Sequence, residues 1–379
     1  MTNNKTYDVA IVGGGLAGLC LSIQLVKAGH SVILFEKEKY PFHKVCGEYV
    51  SFECWNFLEE IGVPLSDWKL PQIRNLIVSA PSGKYVEHRL PLGGFGISRY
   101  KLDAYLANLT RSLGTVVMEE TKVDNVWFND SYFHVQYGSL MCKAKLACGS
   151  FGKRSNLDVK WKRRFTQKKS GKLNNYIAVK YHIKTDFPSD YIALHNFKNG
   201  YCGISQVEEG KYCLCYLTTA QHLHQCDNSI ELLEQKILRR NPYLDKIFSS
   251  ATFLDEFPVT IAQLSFEKKL QWEHHILMAG DAAGMIAPLC GNGMSMAMHA
   301  SKIAFKELDL FLHGKIDRHT METTYQTNWN NMFRERLRTG RWVQSVLGRE
   351  WLTNYFIQTI RLFPSLVERL IRKTHGEPF

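Results

Sequence analysis

The sequence has no C-x-x-C pair among its ten cysteines, which argues against a zinc ribbon or a thioredoxin-type redox site. No uninterrupted apolar run approaches the ~18–20 residues of a membrane-spanning helix. No secretory n-region, h-region or cleavage site opens the chain, so reduced thiols and a cytoplasmic location are expected. Internal repeats and low-complexity tracts are absent too. Acidic residues are in short supply: 36 Asp and Glu stand against 47 Lys and Arg, a formal net charge of +11. That surplus points to anionic partners without choosing among a phosphorylated substrate, an acidic carrier protein, a membrane surface or nucleic acid. What is present is ordinary globular composition over 379 residues, 45% hydrophobic and 22% charged, enough for a sizeable core.

The first forty residues carry the strongest pattern. Tyr7 to Val12 is a short apolar run consistent with a buried parallel strand. Gly13, Gly15 and Gly18 then fill G-x-G-x-x-G, and helical periodicity from Leu19 to Ala28 ends at Gly29. Ser31 to Phe35 reads as a second strand with Glu36 at its end. Each part has a task in binding a dinucleotide. Gly13 permits the tight turn, Gly15 lets a pyrophosphate approach, and Gly18 lets helix pack on strand. Leu16 and Ala17 open the helix, whose free N–H groups face the phosphates. Glu36 can accept from ribose hydroxyls and disfavours a 2′-phosphate, so FAD or NAD is expected rather than NADP.

A second pattern runs Gly280-Asp281-Ala282-Ala283-Gly284, then Pro288-Leu289-Cys290-Gly291-Asn292-Gly293-Met294. A strand over 275–278 precedes it and a helix over 294–310 follows. Here the chain resembles the FAD-dependent hydroxylase, halogenase and geranylgeranyl-reductase superfamily. The resemblance implies an α/β fold with a Rossmann-like FAD-binding domain of the glutathione-reductase type 2 class. It places Asp281, with Gly280, on the ribityl side of FAD. Gly291, Asn292, Gly293 and Met294 fall by the isoalloxazine, where they stabilise negative charge on reduced flavin.

Two further segments extend the resemblance. Lys44-Val45-Cys46-Gly47-Glu48 is similar to the K-x-C-G loop of the geranylgeranyl-reductase branch, whose cysteine lines the substrate cavity. This makes Lys44 a cofactor candidate and Cys46 and Glu48 candidate pocket residues. Gly96 to Asp103 is similar to a helix start from which Arg99 faces FAD. Three departures matter. Cys148 stands where the hydroxylases carry the Asp-Gly aspartate that meets NAD(P)H. Tyr201-Cys202-Gly203-Ile204-Ser205-Gln206 departs from the reductases' Y-x-W-x-F-P strand. The halogenases' W-x-W-x-I-P is not found.

The resemblance implies discontinuous domains. The FAD-binding part comprises 1–75, 96–155 and 265–312, an antiparallel-sheet substrate domain comprises 76–95 and 156–264, and 313–379 forms a helical cap. Two basic stretches stand out, Lys160 to Lys172 and Arg334 to Lys373, the latter interleaved with apolar residues as in an interfacial helix. No nucleic-acid module and no metal site is expected; His222-x-His224-x-Cys226 lacks a second ligand cluster. The expected activity is monooxygenation of an apolar, aromatic or polyketide-like substrate through a flavin C4a-hydroperoxide. The alternative is C=C reduction in a prenyl or polyene chain, with halogenation a minor third. The reductant is NAD(P)H or a separate electron donor.

Overall fold

A computed structural model describes residues 5–167, 174–347 and 349–379. Two sheets organise them. The first runs Trp272–Glu273, Ile276–Met278, Leu140–Gly149, Thr6–Val12, Val32–Phe35, Val116–Met118, with a hairpin of Asn125–Asn129 and Tyr132–Tyr137 appended to Leu140–Gly149. Its central strands are parallel, Val9 beside Val32 and Leu146. Val9–Val12 is buried throughout, in one core with the Leu16–Lys27 helix and with Phe133, Val135 and Tyr137 of the appended hairpin. The Leu16–Lys27 helix buries nine residues, and Gly29 at φ +89° lets the chain leave it towards Val32. At about 1.5–3 kcal/mol per buried large apolar side chain, this unit needs no external staple.

The second sheet has the order Thr252–Phe253, Asn174–Lys184, Tyr212–Thr219, Gly200–Gln206, Tyr191–Phe197, Gln72–Ser79, Tyr85–Gly96, Tyr49–Ser51, with Val259–Ser265 also on Asn174–Lys184. It departs from expectation twice. It is mixed, because Tyr191–Phe197 lies parallel to Gln72–Ser79. It also begins at Tyr49, not residue 76: Tyr49–Ser51 pairs with Tyr85–Gly96, pulling the segment just after the K-x-C-G loop into this sheet. A three-residue strand is too short to show a period in sequence, which is why the boundary was hidden.

Between this sheet and its helices, Glu234 accepts hydrogen bonds from Tyr181 (2.9 Å) and Tyr216 (2.8 Å). Burial pushes its carboxyl up to about 7, against the two tyrosine hydroxyls that pull it down. A raised carboxyl binds more protons folded than unfolded, so this group costs stability as pH climbs from 4.5 through 7. Glu234→Gln should therefore raise stability at pH 8, by about 1–3 kcal/mol, and have little effect at pH 5; urea unfolding at both pH values checks this.

Three helices complete the chain: Arg318–Leu347, Glu350–Leu362 and Pro364–Thr374. The first packs on the turn that begins at Pro288. A Cβ at Gly340 would lie 3.2 Å from Cys290 Sγ, so glycine sets the closeness of that approach. The second buries Thr353, Ile357 and Ile360, spaced four and three apart, against the second sheet with Ile73, Leu90 and Ile192.

Candidate FAD site

The strand–turn–helix at the N-terminus folds tightly against the end of Leu140–Gly149. A Cβ at Gly13, whose φ is +110°, would sit 2.4 Å from the Ser150 carbonyl oxygen; one at Gly18 would sit 2.1 Å from the Gly13 carbonyl oxygen. Gly15 differs. A Cβ there would meet nothing nearer than Arg99 Nη2 at 3.9 Å and the Ser150 carbonyl at 4.0 Å. Arg99 thus stands over an open glycine face. Its guanidinium donates to both oxygens of buried Asp103 at 2.7 Å, and Lys44 Nζ lies 3.1 Å from the same carboxylate. Lys44 Nζ also lies 3.8 Å from Glu36 Oε2, so the two cations are set between two acids beside the open glycine face, where a pyrophosphate would lie.

Glu36 is placed as the sequence requires, at the end of the second strand, but its carboxylate is partly occupied. Oε1 accepts from the N–H groups of Lys37 (2.8 Å) and Glu38 (3.2 Å), and Oε2 from Gly14 N–H (3.1 Å). A carboxylate has about four acceptor positions, so one remains for a ribose hydroxyl.

The Gly-Asp turn meets the same helix start. A Cβ at Gly280 (φ +62°) would lie 3.1 Å from Ala17 Cβ. Beside it a concavity of about 230 Å³ is bordered by Asp281, Gly293, Ala297 and Trp329. The turn is held from behind by two residues that sequence reasoning missed. Lys269 Nζ donates to the carbonyls of Asp281 (2.7 Å) and Lys153 (2.9 Å), and burial pulls its ammonium down to about 8. Arg163 is 1% exposed, bridges Asp158 (2.9 Å) and Glu273 (2.7 Å), and donates to the Ala282 carbonyl (3.1 Å). The first basic stretch is therefore not a free cationic patch at its centre. Its Lys168, Lys169 and Lys172 lie outside the described residues.

The Gly293–Leu312 helix starts with neither a side-chain cap nor an acid in its own first turn; the buried Glu53 carboxylate, paired with Arg336, lies beside Asn292 and Ser295 at that start. Gly291 takes φ +65°, and a Cβ at Gly293 would meet only Ile286 at 3.8 Å. Asn292 is fully buried: its amide donates to the Thr374 carbonyl (3.1 Å) while its Oδ1 has no partner. Its side chain faces the C-terminal segment, so backbone N–H groups are what this turn offers a flavin edge. Met294 is buried in the first core. The open faces at Gly15 and Gly293, with Arg99 and Lys44 beside the first of them, fit FAD.

The K-x-C-G loop crosses from this site to the second sheet. Lys153 Nζ donates to the Val45 carbonyl (3.2 Å), Cys213 Sγ to the Cys46 carbonyl (3.2 Å) and Ser205 Oγ to the Gly47 carbonyl (3.3 Å). Cys46 is left half-buried between the sheets. Tyr201 of the sheet, Leu289 of the Pro288 turn and Val45 of the loop pack in one apolar cluster, and burial drives the Tyr201 hydroxyl far above its usual range.

Glu48 does not line that interior as the sequence implied. It is fully buried at φ +56°, takes Lys180 Nζ on Oε1 at 2.5 Å and pairs Oε2 with His182 Nε2 at 2.7 Å. Oε1 also accepts from Arg99 N–H at 2.8 Å. Glu48 is thus a positioning residue, fixing the loop and the start of the Arg99 helix together. A lysine and a histidine within the otherwise apolar run Tyr176 to Ile183 were the signal for its partners. Cys148 is buried inside its strand, its thiol pushed up to about 12, so it cannot replace the aspartate that meets a nicotinamide. The 275–278 strand shortens to Ile276–Met278. His274 and His275, at φ +53° and +64°, form the hairpin turn.

Comparison with known proteins follows this geometry. Residues 11–45 match the model of the NAD(P)-binding Rossmann-like domain. The chain is 24% identical over 361 residues to conditioned medium factor receptor 1 of Dictyostelium discoideum, covering 87% of this chain and 69% of that one. It is 24% identical over 352 residues to a digeranylgeranylglycerophospholipid reductase of Methanococcus vannielii, covering 86% and 82%. Among solved structures it matches the flavin-dependent brominase Bmp2 (TM-score 0.80, 18% identity, 98% and 93% covered). It matches a geranylgeranyl bacteriochlorophyll reductase-like protein of Thermoplasma acidophilum equally well (0.79, 18%, 100% and 97%). The chain therefore has the fold of the FAD-dependent oxidoreductases that include the flavin halogenases and the geranylgeranyl reductases.

Proposed function

We propose that the chain is a FAD-dependent reductase of carbon–carbon double bonds in a long prenyl-chain lipid. The observation that carries this reading is the position of Cys46, clamped half-buried between the flavin-binding turns and the second sheet. Likeness to the Methanococcus reductase over 86% of the chain supports it. FAD, when bound, supplies two-electron redox chemistry. Arg99 and Lys44 would hold its pyrophosphate, and the backbone N–H groups at the start of the Gly293–Leu312 helix would face negative charge at the pyrimidine edge. The Cys46 thiol would hold at Sγ the proton for one alkene carbon, and the reduced cofactor, when bound, would supply the hydride equivalent.

Cys46→Ser should lower turnover about a hundredfold, the scale of a lost general acid, with FAD affinity unchanged. Anaerobic single turnover with a digeranylgeranyl lipid in detergent reads this; unaltered turnover removes Cys46 from the chemistry. The second reading, monooxygenation, draws on the departure of Tyr201 to Gln206 from the reductase strand pattern. Rapid mixing of reduced, FAD-loaded protein with oxygen separates the two. Direct reoxidation with no delay fits the reductase, and a persistent oxygenated flavin spectrum fits the monooxygenase.

A further inference from the structure

The Glu350–Leu362 helix is apolar on two sides. Its inner side, Thr353, Ile357 and Ile360, is used by the second sheet. Its outer side carries Trp351 and Tyr355, each 68% exposed, and Leu362, 76% exposed; Phe363 follows at 54%. Trp342, one turn before the end of the preceding helix, is half exposed on the same connection and reaches Phe356 across it. Exposed apolar residues scattered singly need no explanation, but a run of aromatic and leucine side chains on consecutive elements marks a contact surface. The surrounding charge has one dominant sign. Residues 332–373 hold nine Arg or Lys and three Glu, and of the nine only Arg336 is buried, against Glu53. Among the described residues, no helix is long and apolar enough to cross a membrane.

We infer that this surface docks on an anionic phospholipid bilayer. Trp and Tyr rings, with one apolar body and one polar atom, suit the interfacial region, and a basic surround suits acidic headgroups. The docking face also adjoins a cavity. Gln344 and Leu347, in the last turn of Arg318–Leu347, border a small pocket with Tyr201, Leu217 and Leu289 and the polar Asn196 and Thr219. Tyr201 lies on Gly200–Gln206, the strand whose Ser205 donates to the Gly47 carbonyl next to Cys46. A chain leaving the bilayer beside Trp342 would enter there. This extends the reading above by naming the route of the lipid substrate, and vesicle binding requires no turnover, so the two ideas fail separately.

The test is sedimentation of the FAD-loaded full chain with vesicles of phosphatidylcholine alone and of phosphatidylcholine containing phosphatidylglycerol. Binding should favour the anionic vesicles at least tenfold and weaken as salt rises, each basic residue near the surface contributing about fivefold. Trp351→Ala/Tyr355→Ala/Phe363→Ala should lose binding at least tenfold and retain turnover on detergent-dispersed lipid. Arg361→Glu/Arg369→Glu should lose the preference for anionic vesicles. Phe257→Ala, removing an equally exposed ring elsewhere (74%), should change nothing. All these side chains are exposed, so folding survives, and a melting curve confirms it. Equal binding to both vesicles, no binding to either, a triple variant that binds like the parent, or self-association that disappears in the triple variant would each overturn the inference.

Discussion

Gly15→Val folds and loses FAD. The chain has room for the side chain, because a Cβ at Gly15 finds no atom closer than 3.9 Å, and the atoms it finds are Arg99 and the Ser150 carbonyl. A pyrophosphate lying on that glycine face has no such room. Losing two charge-assisted hydrogen bonds from the turn costs about 3 kcal/mol, about a hundredfold in affinity. The expected result is an apoprotein melting within a few degrees of the parent and a flavin titration shifted by that factor. Gly13→Val is the contrast. Its Cβ would collide with the Ser150 carbonyl from a φ of +110°, so it should lose the fold as well as the flavin. If Gly15→Val kept full FAD affinity, the pyrophosphate would not lie where the glycine pattern puts it.

Glu48→Gln should be the most destabilising isosteric change in the chain, by about 3 kcal/mol at neutral pH, because it strands Lys180 in the interior without its counter-ion. Burial alone would push the Glu48 carboxyl up; Lys180 and His182 outweigh burial and hold it below 4.5. Burial likewise works against the Lys180 ammonium, and Glu48 outweighs it, raising Lys180 above 10.5. The depressed carboxyl stabilises fully above 4.5 and loses its contribution as pH falls through its folded value. The raised ammonium stabilises fully below 10.5 and loses its contribution as pH rises through its folded value. The difference between parent and Glu48→Gln should hence be flat across the neutral range and narrow in acid. Lys180→Met added to Glu48→Gln should recover most of the loss, since removing both charges leaves no orphan. Urea unfolding of the four proteins against pH reads all of this; a double variant no better than Glu48→Gln would mean that the pair is not coupled.

The parts of the site legible in the sequence are those where chemistry demands glycine or a fixed spacing. Gly13, Gly15 and Gly18 sit in strand–turn–helix order, Glu36 ends the next strand, and Gly280 and Gly291 adopt positive φ beside the helices they precede. Arg99 was legible from its helix start. The hidden parts are long-range partnerships. Nothing local ties Lys180 to Glu48 or Arg163 to Glu273, 132 and 110 residues apart. The run around Arg163 stood out only as basic, because sequence shows charge but not its counter-ions. The parallel pairing of Tyr191–Phe197 with Gln72–Ser79 was equally silent, since an alternating strand reads alike in either direction. Glu48 was recognised by its motif and assigned to the pocket; the buried cation beside it gives it a structural task.

The account rests on one reaction, and its product decides it. FAD-loaded protein, chemically reduced without oxygen, would be mixed with a digeranylgeranyl glycerophospholipid in detergent, and the lipid recovered for mass spectrometry. The account predicts a lipid that has gained two hydrogens for each double bond reduced and no oxygen, formed in the absence of air. Lipid unchanged under these conditions, with an oxygen-bearing product appearing only once air is admitted, would contradict it and make the chain a monooxygenase on the same fold.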